Sequence, residues 1–247
     1  MKKRFLAVLP FCCIILVWYC ITMKGTVPSS ILPPVNKVFS TLLVLISTGQ
    51  LLNDLFISLT RVLKSYFLSV AAGCLIGTFM GVSATIRASL SLFITAFRQI
   101  PVVAWVPILI LWCGIGELSK IVIIFLSAVF SIILNTSDGI RSTSPEYIEI
   151  ANLYKINKWR LFTKIYLPYA APQIFTGFKI GLGASWMAVV SSEIIASTSG
   201  IGYRLAEARS LMRADIVIVC MIVIGLTGVI MDVILNNISS LLLPWKK

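Results

Sequence analysis

The chain has 247 residues, of which 58% are hydrophobic and only 12% charged, and its mean hydropathy is +0.99. This composition excludes an ordinary soluble domain and predicts that lipid solvates most of the chain. A net charge of +12 would suggest nucleic-acid binding in a soluble protein, but the basic residues stand mostly between apolar runs and at the chain ends. That pattern is typical of membrane orientation signals, so we expect no nucleic-acid partner.

The sequence offers little material for a metal site or for catalysis. It contains six cysteines in or beside apolar segments, no C-x-x-C pair, no histidine, and nine acidic residues. Zinc sites, disulfide frameworks and most catalytic centres need more of these groups, or need them at closer spacing. We therefore predict no metal ligand and no catalytic residue.

Six apolar runs predict an all-α membrane protein that forms a single domain over residues 1–247. The predicted spans are 5–23, 62–84, 88–113, 117–137, 172–196 and 215–242. The first run resembles a secretory signal, but it continues to about Thr22 with no cleavage site after it, so we expect a retained helix. The proline-rich segment 27–36 predicts a surface loop, and 37–55 predicts an interfacial helix.

Lysine and arginine counts in the short loops predict that both termini are cytoplasmic. Most basic residues then fall on one side: the amino-terminal cluster Lys2, Lys3 and Arg4, then Arg87, the segment 141–179, and Lys246 with Lys247. The opposite side carries Arg204, Arg209 and Arg213, partly offset by Glu207 and Asp215.

Glycines at four-residue spacing mark one face of the second span, at Gly73, Gly77 and Gly81. Small residues in this pattern permit close helix packing in lipid. Two interpretations stay open, packing within one bundle or a seam with a second copy. Gly177, Gly181 and Gly183 on the fifth span admit the same two interpretations.

The longest polar interruption between spans runs from Ser144 to Pro168, within a loop of about 141–170. Ser144 as a cap and Pro145 as the first helical residue predict that a short helix begins here. Asn157 can cap a second short helix, which we expect Pro168 to end. Its apolar face would carry Trp159, Phe162, Ile165 and Tyr166.

This segment resembles the cytoplasmic loop of the inner-membrane permeases of bacterial ABC importers. Their loop carries E-A-A, three residues, G, about nine residues and I-x-L-P. The matching positions here are Glu149, Ala151, Lys155, Ile165, Leu167 and Pro168. Lys155 departs from the pattern, because glycine suits a left-handed turn that costs other residues about 1 kcal/mol or more. One possibility is that the turn has moved to Asn157.

Further stretches look like the nitrate, sulfonate and taurine permease subfamily, over about residue 57 to the end. They are Arg98-Gln99-Ile100-Pro101, Trp105-Val106-Pro107, residues 111–117, Ser119-Lys120, Glu193 and residues 199–203.

The resemblance implies a type I ABC importer permease fold in the bacterial inner membrane, with a cytoplasmic coupling helix that docks on a separate ATPase. The six motif residues would form the ATPase-coupling contact, with Ile148, Leu153 and Tyr154 as the apolar face of the helix. The chain has no phosphate-binding G-x-x-x-x-G-K-[ST] loop, so ATP and magnesium would bind the partner. The implied partners are a second permease copy, two ATPase subunits, an extracytoplasmic binding protein and membrane lipid.

Charged residues inside predicted spans are candidates for the substrate pathway. Arg98 could attract an anionic substrate, or form a structural ion pair with Glu193 or a neighbouring helix, or lie nearer the membrane interface because Pro101 bends the span. Glu193 could contact substrate, act as a gate or pair structurally. Gln99 beside Arg98, and Trp186 near Glu193, complete the candidate set.

The expected cargo is a small anion such as nitrate, an aliphatic sulfonate or taurine. A thiamine-precursor pyrimidine or similar heterocycle is the first alternative, because some relatives of the subfamily carry such solutes. A channel that works without an ATPase is the second.

Overall fold

The computed structural model describes residues 2–25 and 27–244, without the side chains of residues 2–8 and Phe11. Within these residues every regular element is helical. The helices are α1 (Lys2–Met23), α2 (Val35–Ser47), α3 (Gln50–Val82), α4 (Ala84–Gln99), α5 (Val102–Cys113), α6 (Glu117–Arg141), α7 (Pro145–Leu153), α8 (Lys158–Leu161), α9 (Leu167–Ala196), α10 (Ile201–Ser210) and α11 (Ala214–Leu242). The predicted basic pair Lys246 and Lys247 lies outside the described residues.

Within the described part of the chain, four helical segments are long and apolar enough to cross a membrane: α3, α6, α11 and the stretch Lys158–Ala196. The pair α4 and α5 adds a fifth if both halves form one broken span. The first predicted span coincides with the 22-residue helix α1, in which Cys12–Met23 is the apolar stretch with described side chains. The prediction of about six spans therefore fits the helices only roughly.

The predicted span over 88–113 is broken in two, because the chain bends by 97° between α4 and α5. The break falls at Ile100 and Pro101, where Ile100 has an extended backbone with ψ 119°. A proline disfavours helical geometry at the residue before it and has no N–H to donate, so it ends α4. Arg98 and Gln99 consequently lie at the exposed end of α4, next to this break.

The second span begins earlier than predicted. Only Thr48 and Gly49 separate α2 from α3, and Gly49 adopts a left-handed conformation with φ 72°. Residues 50–61, part of which was assigned to an interfacial helix, therefore belong to the 33-residue helix α3. The loop prediction for 27–36 is confirmed up to the start of α2 at Val35, and the Trp18 Nε1–H donates to the Pro33 carbonyl there at 3.0 Å.

Pro168 does not end the helix that begins at Lys158. The helix continues from α8 through a wide turn of the π type at Phe162–Tyr166 into α9, forming one stretch to Ala196. In a regular helix the Pro168 ring would clash with the carbonyl four residues earlier. The wide turn just before it offers a local rearrangement that lets the helix pass through.

Helix α6 forms the centre of the bundle, between α3 and α9. A Cβ atom built on Gly73, Gly77 or Gly81 would come within 2.6–2.8 Å of α6 atoms, so all three glycines let α3 approach α6. Gly177 and Gly181 do the same for α9, at 2.8 and 3.2 Å. Both rows therefore serve packing within the bundle, and the seam with a second copy is wrong for these five positions. The predicted companion Gly183 faces open space, with nothing within 4 Å.

Glycine contacts also define the helix directions. Gly73 meets Ile132 and Gly81 meets Ile140, so α3 and α6 are parallel. Gly139 of α6 meets Ala170 whereas Gly181 meets Ala128, so α9 is antiparallel to them. One end of the bundle holds the last residues of α6, helix α7 and the first residues of α9, and we call it the α7 end. The opposite end, which we call the α10 end, holds the first residues of α3 and α6, the last residues of α9, and helix α10.

Candidate functional site: the coupling segment and the Arg61 cluster

The coupling segment, residues 144–168, begins as the sequence predicts. Ser144 stands at the cap position of α7, although its side chain accepts no capping hydrogen bond, and Pro145 is the first helical residue. Glu146 lies in the first turn, where a negative charge suits the helix dipole. The start of α7 thus depends on proline geometry and charge and not on a side-chain cap.

The turn that closes α7 remains at Lys155. Lys155 has φ 50°, its N–H donates to the Asn152 carbonyl at 3.0 Å, and the Ile156 N–H donates to the Ala151 carbonyl at 3.0 Å. These two bonds form a Schellman motif with lysine at its left-handed position. The idea that the turn has moved to Asn157 is wrong. Asn157 instead caps α8, where its Oδ1 accepts from the Arg160 N–H at 2.8 Å.

The motif residues divide between an outward and an inward set. Glu149, Leu167 and Pro168 are exposed, Ile165 is half-buried and Ala151 is buried. A cleft of about 370 Å³ joins α7 to the start of α9, and the Tyr147 and Tyr169 rings approach to 6.3 Å there. Ile165 and Pro168 line this cleft together with Tyr147 of α7, so the I-x-L-P part lies beside α7.

An apolar surface remains uncovered at the tip of the segment. Leu153, Tyr154 and Trp159 are 81%, 78% and 73% exposed, whereas Ile148 is half-buried. Of the predicted docking face, Leu153 and Tyr154 therefore point outward. Trp159, expected on the apolar face of the second helix, extends that surface across the Lys155 turn. Three large exposed apolar side chains at a tight turn suit insertion into a groove of a partner.

The candidate pathway residues do not gather at one place. Trp186 is buried and its Nε1–H donates to the Ile224 carbonyl at 3.0 Å, so its polar atom serves helix packing. Glu193 is 1% exposed and pairs with Arg61, not with Arg98. The hypothesis of an Arg98 and Glu193 pair is therefore wrong.

Arg61 is the centre of a second polar group at the α10 end, which we call the Arg61 cluster. Its members are Ser58, Arg61, Glu117, Lys120, Glu193 and Ser199. Arg61 is only 5% exposed, and all of its N–H groups are engaged. Nη1 donates to Glu193 Oε1 at 2.6 Å, Nε and Nη2 donate to Glu117 at 2.9 and 2.6 Å, and both Nη atoms donate to Ser199 at 2.9 Å.

Glu193 holds the turn between α9 and α10. Its carboxylate accepts from Ser58 Oγ at 2.8 Å and from the Gly202 N–H at 2.9 Å. The Ile201 N–H donates to Ser58 Oγ at 3.0 Å, so the first turn of α10 is anchored on α3. Gly200 has φ 104°, and a Cβ there would overlap the Glu193 carboxylate. Only glycine satisfies both the backbone angle and this close approach.

A second ion pair ties α10 to the start of α3. Arg204 Nε donates to Asp54 Oδ2, and Arg204 Nη1 donates to Gln50 Oε1 at 3.1 Å. Beyond α10, Arg213 donates to Asp215, which also accepts from Thr41 at 2.8 Å, and this hydrogen bonding raises the pKa of the Arg213 guanidinium. Charged contacts thus join α2, α3, α10 and α11 at one end of the bundle.

Sequence reasoning missed Arg61, although a signal existed. The second span was predicted to begin at residue 62, so Arg61 was not weighed as a charge within a span. An arginine inside a long apolar helix calls for a partner in the protein. Glu117 and Glu193 both stood in the stretches that carry the family resemblance, and the structure brings them to the same guanidinium.

The sequence profile that describes the binding-protein-dependent transport system inner membrane component matches residues 69–243. The chain belongs to this family. It is 36% identical over 222 residues to a putative ABC transporter permease of Methanocaldococcus jannaschii, covering 88% of this chain and 83% of that one. The Escherichia coli taurine transport system permease is 30% identical, covering 93% and 85%. A nitrate import permease of Leptolyngbya laminosa is 32% identical, covering 76% and 67%.

The fold has solved counterparts. A chain from an inward-facing structure of the MetNI methionine ABC transporter superposes with a TM-score of 0.63 at 17% sequence identity, covering 77% of this chain and 97% of that one. Together with the family match, this likeness identifies the type I ABC importer permease fold.

Proposed function

We propose that this ABC importer permease translocates a small anion, such as nitrate, an aliphatic sulfonate or taurine, across the cytoplasmic membrane. Relatives named for taurine and for nitrate transport support this class of cargo. The two solutes share an oxoanion group, which suggests a pathway that accommodates that chemistry.

In this proposal the coupling segment docks on a separate ATPase subunit, which binds ATP and magnesium. The observation that carries it is the uncovered surface of Leu153, Tyr154 and Trp159 around the Lys155 turn. A second permease copy, two ATPase subunits and an extracytoplasmic binding protein complete the importer. The α7 end then faces the cytoplasm together with both termini, in agreement with the basic residues of segment 141–179.

The continuous helix Lys158–Ala196 provides a mechanical link for coupling. A movement of α7 and α8, caused by closure of the ATPase subunits, would be transmitted along this helix. Its far end carries Glu193, which is bound to Arg61 and to the first turn of α10. Packed helices move as rigid bodies, so displacement at the α7 end would shift contacts at the α10 end and alternate the access of the pathway.

Uptake by the reconstituted complex tests the proposal. The chain is placed in proteoliposomes with its ATPase and binding protein, and uptake of labelled taurine, nitrate and a heterocyclic pyrimidine is measured with and without ATP. ATP-dependent uptake of an anion is the expected result. Uptake of the pyrimidine alone would contradict the anion assignment, and uptake without the ATPase would indicate a channel.

The charge reversal Glu149→Arg tests the coupling contact, because Glu149 is exposed on α7. We expect the variant to insert into the membrane normally but to lose ATPase binding and ATP-driven uptake. Glu207→Arg is the matched control, since it reverses an exposed charge at the opposite end. Normal uptake by Glu149→Arg would argue against this docking surface.

A further inference from the structure

An open pocket of about 380 Å³ lies between α3 and α6 at the α10 end. Arg61, which is mostly buried, and the exposed Lys64 both line it. Its lining residues are Phe56, Ile57, Thr60, Arg61, Lys64, Glu117, Ile121 and Ser199. Two cations and one carboxylate therefore face a common space large enough for a small solute.

Lys64 indicates that this face of α3 contacts water or a polar ligand. The residue is exposed and directly precedes the apolar stretch 65–82 of α3, so it lies toward the α10 end of this span. A charged side chain on a membrane-spanning helix turns toward water or polar groups and away from lipid, and this pocket offers such surroundings.

The two edges of Arg61 differ in how firmly they are occupied. Nη1 faces Glu193, whose side chain is 0% exposed and also held by Ser58 and by the Gly202 N–H. Nε and Nη2 face Glu117, whose side chain is 60% exposed. Nε and Nη2 form the outer edge of the guanidinium, a planar fork of donors. This fork can bind two oxygens of a carboxylate, a sulfonate or a nitrate with the same geometry. Glu117 therefore occupies the position that an oxoanion would take.

Lys120 adds a buried cation that depends on the same carboxylate. Its side chain is 6% exposed, and its ion pair with Glu117 Oε1 spans 3.3 Å. Arg61, Lys64 and Lys120 are three cations against the two anions Glu117 and Glu193, so the group carries one net positive charge. If Glu117 moved out, the outer edge of Arg61 and the Lys120 ammonium would both lack a counter-charge.

The local backbone permits that movement. Glu117 is the first residue of α6 and directly follows the segment Gly114–Gly116. Neither Gly114 nor Gly116 has a neighbouring atom within 4 Å of a Cβ position, so the segment is not packed in place. Glu193, by contrast, lies within the buried part of α9 and cannot leave.

We propose that the pocket between α3 and α6 is a binding site for a small oxoanion, held by the outer edge of Arg61 with Lys64 and Lys120. Glu117 is a built-in competitor that releases this edge when the solute arrives. This inference rests on the proposed function, because it names where a transported anion contacts the permease. Arg98, the arginine that the sequence suggested for this role, is not part of the pocket.

Anion binding to the purified permease in lipid nanodiscs tests the site. Nitrate, taurine and methanesulfonate are titrated calorimetrically at constant ionic strength, with chloride as the reference anion. Glu117→Gln keeps the side-chain shape and removes the competing charge, so we expect its oxoanion affinity to rise about tenfold, the equivalent of one charge-assisted hydrogen bond. Glu207→Gln removes the same charge at the same end, outside the pocket, and should leave the affinity unchanged.

A second variant keeps the test valid if Glu117→Gln folds poorly. Lys64→Gln changes an exposed side chain, so folding should be preserved while oxoanion affinity falls about tenfold. Unchanged affinity in folded Glu117→Gln or in Lys64→Gln would overturn the site. Equal effects of chloride and oxoanions would also overturn it, since they would indicate screening alone.

Failure of the site and failure of the proposed function give different results. An importer that takes up taurine or nitrate, while neither variant changes anion affinity, retains the proposed function and rejects this pocket. Variant-dependent oxoanion binding in an importer that takes up only a neutral heterocycle supports the site and rejects the anion as cargo.

Discussion

The two ends of the bundle use opposite chemistry. The α7 end presents Leu153, Tyr154 and Trp159 to solvent, whereas the α10 end buries Arg61 and Glu193 among hydrogen-bond partners. The exposed apolar surface becomes favourable only when a partner buries it, so substitutions there leave the stability of the isolated chain almost unchanged. The buried charges contribute to the fold itself, because each would be costly without the other. The α7 end thus exposes a surface suited to a partner, whereas the α10 end positions its charges around Arg61, beside the pocket between α3 and α6.

Removal of Arg61 should have the largest effect. Arg61→Met leaves Glu193 buried without a counter-charge, which costs about 3–5 kcal/mol. We expect a strong fall in the thermal unfolding midpoint in detergent and in the yield of folded protein. Arg209→Met, on the exposed side of α10, is the control and should change neither. A stable Arg61→Met protein would show that the two ends do not differ in the way described.

Gly200→Ala should destabilise the α10 end next most strongly. The change imposes both an unfavourable φ of 104° and an overlap with the Glu193 carboxylate. Gly114→Ala is the matched control, since Gly114 has φ 76° but nothing within 4 Å. A left-handed residue alone costs about 1–2 kcal/mol, so the difference between the two unfolding midpoints measures the overlap. Equal midpoints would mean that Glu193 can move away freely.

Leu153→Ala should affect binding without affecting stability. Because the side chain is 81% exposed, we expect a stability change within about 0.5 kcal/mol. ATPase-subunit affinity, measured by titration in detergent, should fall at least tenfold if Leu153 is a central contact, since such residues contribute more than about 1–2 kcal/mol. Leu211→Ala, a 67% exposed leucine at the α10 end, is the control. If Leu153→Ala and Leu211→Ala both lost affinity for the ATPase subunit, the docking surface would not be confined to the α7 end.

The smallest effect should come from the two left-handed turns. Lys155 and Met212 have φ 50° and 53°, and each closes a helix by the same backbone pattern. Glycine at either position should raise the stability by up to about 1 kcal/mol, partly offset by chain entropy. Only Lys155→Gly should also alter ATPase affinity. Equal affinities of Lys155→Gly and Met212→Gly for the ATPase would place Lys155 outside the docking contact.

The coupling segment was predictable because its signals are local. Pro145 and Asn157 define helix starts within a few residues, and the left-handed turn at Lys155 follows from the motif spacing. The bend at Pro101 was also encoded locally, but the apolar run on both sides of it favoured one continuous span. Pro168 was misjudged for the opposite reason, because a wide turn accommodates a residue that normally ends helices.

By itself the sequence determined that the chain is an all-helical membrane protein, which loop carries the family motif, and which family it belongs to. Those properties follow from hydropathy and from short-range backbone preferences. Only the tertiary structure decided that Arg61 joins Glu117 to Glu193, which are separated from it by 56 and 132 positions. Periodicity along a helix reports which face is apolar, but not which distant carboxylate the packed bundle brings to a buried guanidinium.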